Sequence, residues 1–151
     1  MDYTQAFAIS AAGMTVERTR VDVAALNLAN ANTVQGADGN AFRPMRVVAR
    51  STSNLQATFT ALVDGGNATA PDAMQALPTV SIEAADVAPR MVYEPGHPYA
   101  NGKGFVSYPG VDTAVEMVSM MSATRAYEAN VAAMNAARTM ALKALDIGGA
   151  A

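Results

Sequence analysis

The sequence predicts an α+β protein. A long N-terminal helix and a longer C-terminal helix pack as an antiparallel, coiled-coil-like pair, with a small β-rich module inserted between them. Three observations carry this. From Val111 onward neither Pro nor Gly occurs before Gly148, so nothing interrupts a helix of about 35 residues. Phe7, Met14, Val21 and Leu28 recur at strict seven-residue spacing, the period of a helix that seeks a helical partner. Between these segments the chain breaks into short β-branched and aromatic runs separated by Gly, Pro, Asn and Asp. The expected division is 1–33 for the first helix, 34–108 for the β-rich module with a variable loop at about 53–79, and 109–151 for the second helix.

The first helix is expected from Asp2 to about Ala31. Ala11 and Ala25 follow Phe7 and Val21 by four residues and continue the apolar edge, while Glu17, Arg18, Arg20 and Asp22 form a charged patch lying mostly off it. Gly13 weakens the pattern at a cost of about 1 kcal/mol against Ala. The Asn-rich run from Asn27 to Thr33 reads as the helix terminus, because Asn tolerates left-handed geometry and satisfies open backbone groups.

In the middle module, 36–40 is turn chemistry containing Asp38-Gly39. A strand is expected over 42–51 around Val47 and Val48, with Arg43, Arg46 and Arg50 interleaved, and a second over 55–63. The Gly-, Asn-, Ala- and Pro-rich 64–77 reads as a surface loop. Alternation over 79–87 predicts a half-exposed strand, with Arg90–Tyr93 as its short continuation. Two consecutive turns, 94–99 and 101–104, then lead into a short strand at Phe105–Tyr108.

Asp112 is the expected N-cap of the second helix, and Gly148-Gly149 its closing signal. Met117, Met120, Tyr127, Val131, Met134, Ala141 and Leu145 trace a seam interrupted by Thr124 and Arg138. The other face carries Ala129, Ala132, Ala133, Ala136, Ala137 and Ala144. That leaves Glu116, Arg125, Glu128, Arg138, Lys143 and Asp146 as the helix's only charges. So long a helix with so little charge is expected to be covered on more than one side. A chain of 151 residues cannot supply that cover alone, so the helix reads as a part completed by further subunits. Its methionines, with Met14 on the first helix, suit ordinary core filling and equally suit packing against neighbours that are not identical.

Composition narrows the function. The net charge is −3 and no Lys/Arg cluster exists, which argues against nucleic-acid binding. Cysteine is absent, so neither a disulfide framework, a thiolate metal site nor a thiol nucleophile is expected. No run of about 18 apolar residues predicts a membrane span. The start, Met1-Asp2-Tyr3, lacks the basic and apolar regions of a cleaved secretory signal. Cytosolic residence or export by a signal-independent route both fit.

Candidate chemical sites are weak. His97 is the only histidine and sits between Pro95-Gly96 and Pro98, which fits a turn better than a metal ligand or a base working with Glu94. Glu83, Asp86 and Glu94 could be drawn as an acid–base pair, yet strand and turn surfaces explain them. The paired glycines at 36 and 39, and at 102 and 104, open no helix with phosphate-binding spacing. Asn67-Ala68-Thr69 matches a glycosylation acceptor only at the level of chance. No catalytic residue, cofactor, metal or small-molecule substrate is expected. A soluble coiled-coil adaptor or homo-oligomeric binding module is the alternative reading, and an enzyme with an unrecognised site in the β module stands third.

Two stretches resemble a known family. Asn27, Leu28, Ala29, Asn30 and Thr33 reproduce the NLANxxT pattern found near the N-terminus of bacterial flagellar axial proteins, the rod and hook proteins. Tyr93, Glu94, Pro95, Gly96, Pro98, Gly104, Tyr108, Pro109 and Asp112, then Glu116, Arg125, Tyr127 and Asn130, are similar to a longer pattern of basal-body rod proteins within that family. The resemblance covers most of the chain except about 53–79. It implies a structural subunit of the proximal rod, the drive shaft that transmits torque, assembled in the periplasmic space by packing of terminal helices. It further implies export through the flagellar type III apparatus without a cleaved signal. The implied partners are other copies, other rod proteins, and the inner-membrane ring and rod-adaptor proteins. On this reading Phe7, Met14, Val21, Leu28, Met117, Met120, Tyr127, Val131, Met134 and Leu145 form the assembly seam.

Overall fold

The computed structural model describes residues 3–34, 41–51 and 78–149. The turn expected at 36–40, the strand expected at 55–63 and the loop expected at 64–77 lie outside the described residues. The element order is α1 (Tyr3–Ala29), β1 (Met45–Ser51), β2 (Pro78–Ala84), β3 (Arg90–Tyr93), β4 (Phe105–Tyr108) and α2 (Thr113–Gly149). Two long helices flank short antiparallel strands, which is the expected α+β class.

The ends of these elements follow local chemistry. α1 stops at the Asn-rich run, where the Asn30 side chain donates to the Leu26 carbonyl at 2.9 Å and Thr33 Oγ1 donates to the Asn30 carbonyl at 2.8 Å. Carbonyls left open by the last turn thus gain partners. Asp112 caps α2 as expected, its Oδ1 accepting from the amides of Ala114 at 2.9 Å and Val115 at 3.2 Å. At the far end α2 runs through Gly148 and Gly149, so the glycines do not end the helix ahead of themselves.

The strands form two separate two-stranded ribbons, β1–β2 and β3–β4. Arg90–Tyr93 is therefore not a continuation of the preceding strand. Pro89 has no amide hydrogen to give a ladder, and past it the chain pairs with β4 instead. The register is antiparallel: Arg90 faces Tyr108, Met91 faces Ser107, Val92 faces Val106 and Tyr93 faces Phe105. In the first ribbon the Ala85 amide donates to the Pro44 carbonyl at 2.7 Å, joining the residue before β1 to the residue after β2. Those strands also run in opposite directions.

By compactness the chain divides into two units. The first holds Met1–Arg18, Ala49–Ser81 and Thr124–Ala151. Within it Ser10 and Ala137 are buried, and Gly13 lies so close to Asn130 that a Cβ on it would come 2.9 Å from Asn130 Nδ2. The second holds Thr19–Val48 and Ile82–Ala123. Its buried residues include Val23, Ala24, Asn27, Ala31, Val106 and Ala123. The helices pack antiparallel. The buried helix positions are dominated by Ala, Ser and Asn, small side chains that let helical backbones approach closely.

Candidate functional site

Two features of the described residues bear on function: a polar node in the second unit and an apolar outer face on α2. The node is built on Asn27, which is 1 % exposed. Its Nδ2 donates to the Met45 carbonyl at 2.7 Å and to Glu116 Oε1 at 3.0 Å, and its Oδ1 accepts from the Met45 amide at 2.8 Å. A carboxamide has one acceptor oxygen and two N–H donors, so all its main capacity is used. Toward β1 it behaves as a peptide group would in a neighbouring strand, matching both the donor and the acceptor of one residue. Toward α2 it reaches a carboxylate in the first helical turn. A cavity of about 210 Å³ opens beside the node, lined by Arg20, Ala24, Met45, Arg46, Glu116 and Ser119 among others. Arg46 also faces Glu83 across the first ribbon at 3.6 Å, and with its guanidinium in solvent and Glu83 half-buried the pair is worth little on its own.

The NLANxxT residues thus divide their work. Asn27 ties strand to helices, Asn30 and Thr33 close the helix end, and Leu28 is half-buried while Ala29 is exposed. The second motif builds the β3–β4 hairpin. Asn101 Oδ1 accepts from the amides of Lys103 at 2.9 Å and Phe105 at 3.0 Å, and the Gly104 amide donates to the Asn101 carbonyl at 2.8 Å. Gly104 has φ +78, and a Cβ there would fall 2.8 Å from the Tyr93 ring, so both backbone and space call for Gly. Pro95 is the next nearest neighbour of that position, and Gly96 and Pro98 lie in the turn that follows. Tyr93 and Phe105 meet edge-on with centroids 5.3 Å apart. On the opposite face of the ribbon Val106 is fully buried, and the Arg90 guanidinium lies 5.6 Å over the Tyr108 ring.

Tyr108 donates its hydroxyl to Glu94 Oε2 at 3.1 Å. Desolvation of the phenol, then the hydrogen bond to Glu94 and the charge of that carboxylate, push its pKa above the usual value, with Arg90 opposing. His97 Nδ1 accepts from the Tyr99 amide at 3.2 Å, so the lone imidazole serves its own turn. Among the described residues no group of His, Asp and Glu is placed to hold a metal ion. No helix among them is long and apolar enough to cross a membrane.

The structure spreads the expected seam residues widely. Phe7, Met14, Val21, Leu28, Met120, Val131 and Met134 are half-buried, whereas Met117, Tyr127 and Leu145 are exposed. The contacts made between the helices use small or polar side chains instead, Gly13 against Asn130 and Asn27 against Glu116, and Ala123 is fully buried. Apolar periodicity does not find them, because it gives weight to large side chains. Of the remaining motif residues, Pro109 is buried, Arg125 is exposed, and Asn130 lies against Gly13. On the opposite side of α2 from Glu116 and Ala123, the helical repeat places Met117, Val118 and Met121, which are 49 %, 61 % and 56 % exposed. Val115 adds to them at 62 %. A monomer's surface seldom carries so many large apolar side chains on two helical turns, and such patches mark interaction sites.

Comparison with known proteins places the chain in a family. Residues 103–147 match the family described as flagellar basal body rod FlgEFG protein C-terminal. The chain is 37 % identical over 142 residues to the flagellar basal-body rod protein FlgC of Escherichia coli O6:H1, covering 94 % of this chain and 95 % of that one. It is 37 % identical over 141 residues to the FlgC of Bacillus subtilis, covering 93 % and 94 %. The Salmonella typhimurium FlgC is 35 % identical over 142 residues, with 94 % and 95 % covered.

Proposed function

Because the chain belongs to the flagellar basal-body rod protein FlgC family, we propose that it is a self-assembling subunit of the bacterial flagellar proximal rod. It is a rod structural protein and not an enzyme. Its terminal helices pack on those of other copies and of related rod proteins to build the drive shaft that carries torque. The residues at 41–51 and 78–108 form an outer layer that fixes the spacing of neighbours. The subunit travels through the flagellar type III export apparatus without a cleaved signal and assembles in the periplasmic space, where the inner-membrane ring and rod-adaptor proteins are its further neighbours.

The observation that supports this reading best is the outer face of α2, where Val115, Met117, Val118 and Met121 lie in solvent in the single chain. Covering about 1,000 Å² of such surface per subunit yields about 25 kcal/mol before ordering costs, at about 25 cal/mol per Å². Many individually weak contacts therefore suffice to carry a load. The seam residues that are half-buried in the single chain, Phe7, Met14, Val21, Leu28, Met120, Val131 and Met134, complete their burial against neighbours, together with Tyr127 and Leu145. The test is Val118→Asp in a motile host. We expect export of the variant to persist while its incorporation into basal bodies and swimming are lost. Normal swimming would refute the assignment of this face to assembly.

A further inference from the structure

We infer that the Asn27 carboxamide is a latch that makes the ordering of β1 conditional on both helices being in place. The inference rests on the geometry of the second unit and deepens the rod reading, since a strand layer locked to the helical pair is what lets a load pass between them. Three hydrogen bonds carry it: two to the backbone of Met45 and one to Glu116. Met45 is the first residue of β1, and Glu116 lies in the first turn of α2. Asn27 itself sits in the last turn of α1, beside the hydrogen bonds that close the helix. One side chain therefore joins the starts of two elements to the end of a third.

The chemistry demands Asn at this position. Asp offers oxygens only, so it still accepts from the Met45 amide but faces the Met45 carbonyl and the Glu116 carboxylate with no proton to give. A buried carboxylate beside a second carboxylate is strongly disfavoured. Gln carries the same amide one methylene further out, into a site that is nearly closed to solvent. The latch also makes a specific promise about rescue. In Asn27→Asp with Glu116→Gln, the new Gln amide donates to the new Asp carboxylate, so the bond between α1 and α2 returns with donor and acceptor exchanged. The Met45 carbonyl remains without its donor, so recovery is incomplete.

Hydrogen exchange on the isolated full-length chain tests this without any assembly, so its outcome is separable from the fate of the rod reading. We expect the wild-type Met45 amide and its neighbours in β1 to be protected, and Asn27→Asp to speed their exchange about tenfold or more. The double variant should recover a substantial part of that loss. Glu116→Ala removes the α2 arm and leaves the Met45 pair, so it should speed exchange in β1 as well, by less than Asn27→Asp, together with the first turns of α2. Unchanged β1 protection in this variant would overturn the dependence on α2. The latch is overturned if the β1 amides of the wild type are unprotected, if Asn27→Asp leaves them within about twofold, or if Glu116→Gln restores nothing.

Discussion

The node around Asn27 reaches the first turn of α2 through Glu116, and the outer face of α2 starts in the same turns, yet the two obey opposite rules. At the node polar groups are paired inside the chain: the carboxamide, the Met45 backbone and one Glu116 oxygen satisfy one another. On the outer face Val115, Met117, Val118 and Met121 have no such closure, and more than half the surface of most of them stays in water. Hydrogen bonds are directional and costly to leave unmade, so polar groups specify one internal arrangement. Apolar contact is non-directional and tolerates change of neighbour. The contrast teaches a division of labour. Polarity fixes one internal arrangement within the second unit, and on the proposed reading the exposed apolar surface is what serves assembly.

The comparison can be broken or sharpened by substitution, beginning with the largest effect. Val118→Asp should abolish incorporation, because burying an unpaired charge costs about 3–5 kcal/mol. The same change should shift the stability of the isolated subunit by no more than about 0.5 kcal/mol, measured by chemical denaturation. A large loss in the isolated chain would erase the distinction between the two regions. Asn27→Asp should show the reverse pattern, with strand protection lost before any neighbour is involved. Gly104→Ala probes the hairpin alone. With φ +78 and the Tyr93 ring nearby, it should cost about 1–2 kcal/mol, seen in the same denaturation assay. Asp112→Ala removes a cap from two amides and should cost about 1 kcal/mol, with the loss confined by hydrogen exchange to the start of α2.

The smallest effect concerns Tyr108. Its pKa is raised in the folded chain, so the neutral phenol is favoured by folding. Its contribution to stability is fully present below the ordinary tyrosine value near 10 and fades as pH climbs through the raised value. An ultraviolet titration comparing wild type, Tyr108→Phe and Glu94→Gln should show one late-titrating phenol. That phenol should vanish in the first variant and move down in the second, while desolvation holds it above the usual range.

Much of the fold is legible in the amino-acid order because long helices announce themselves. The absence of Pro and Gly between Val111 and Gly148 and the cap at Asp112 located α2 to within a couple of residues at each end. The hairpin turns were legible from Gly, Pro and Asn, although Arg90–Tyr93 reads as an extension of the preceding strand until its pairing with β4 is seen. The helix contact was not legible. Gly13 registers in sequence only as a helix-weakening residue, and its use is spatial: it makes room for Asn130. Asn27 likewise reads as a terminator, because nothing local reveals that its amide reaches a residue 18 positions away and another 89 away. Long-range partners of polar side chains leave no periodic trace, whereas apolar stripes do.

The Met45 pairing has a last consequence. The Pro44 carbonyl points toward Ala85, so the backbone groups of Met45 point away from the other strand of its ribbon, along a free margin. Margins of that kind invite stray chains to zip on, a hazard for any molecule crowded among its own copies. By occupying the Met45 position of that margin with a side chain, the fold plugs one socket where an unwanted strand could start.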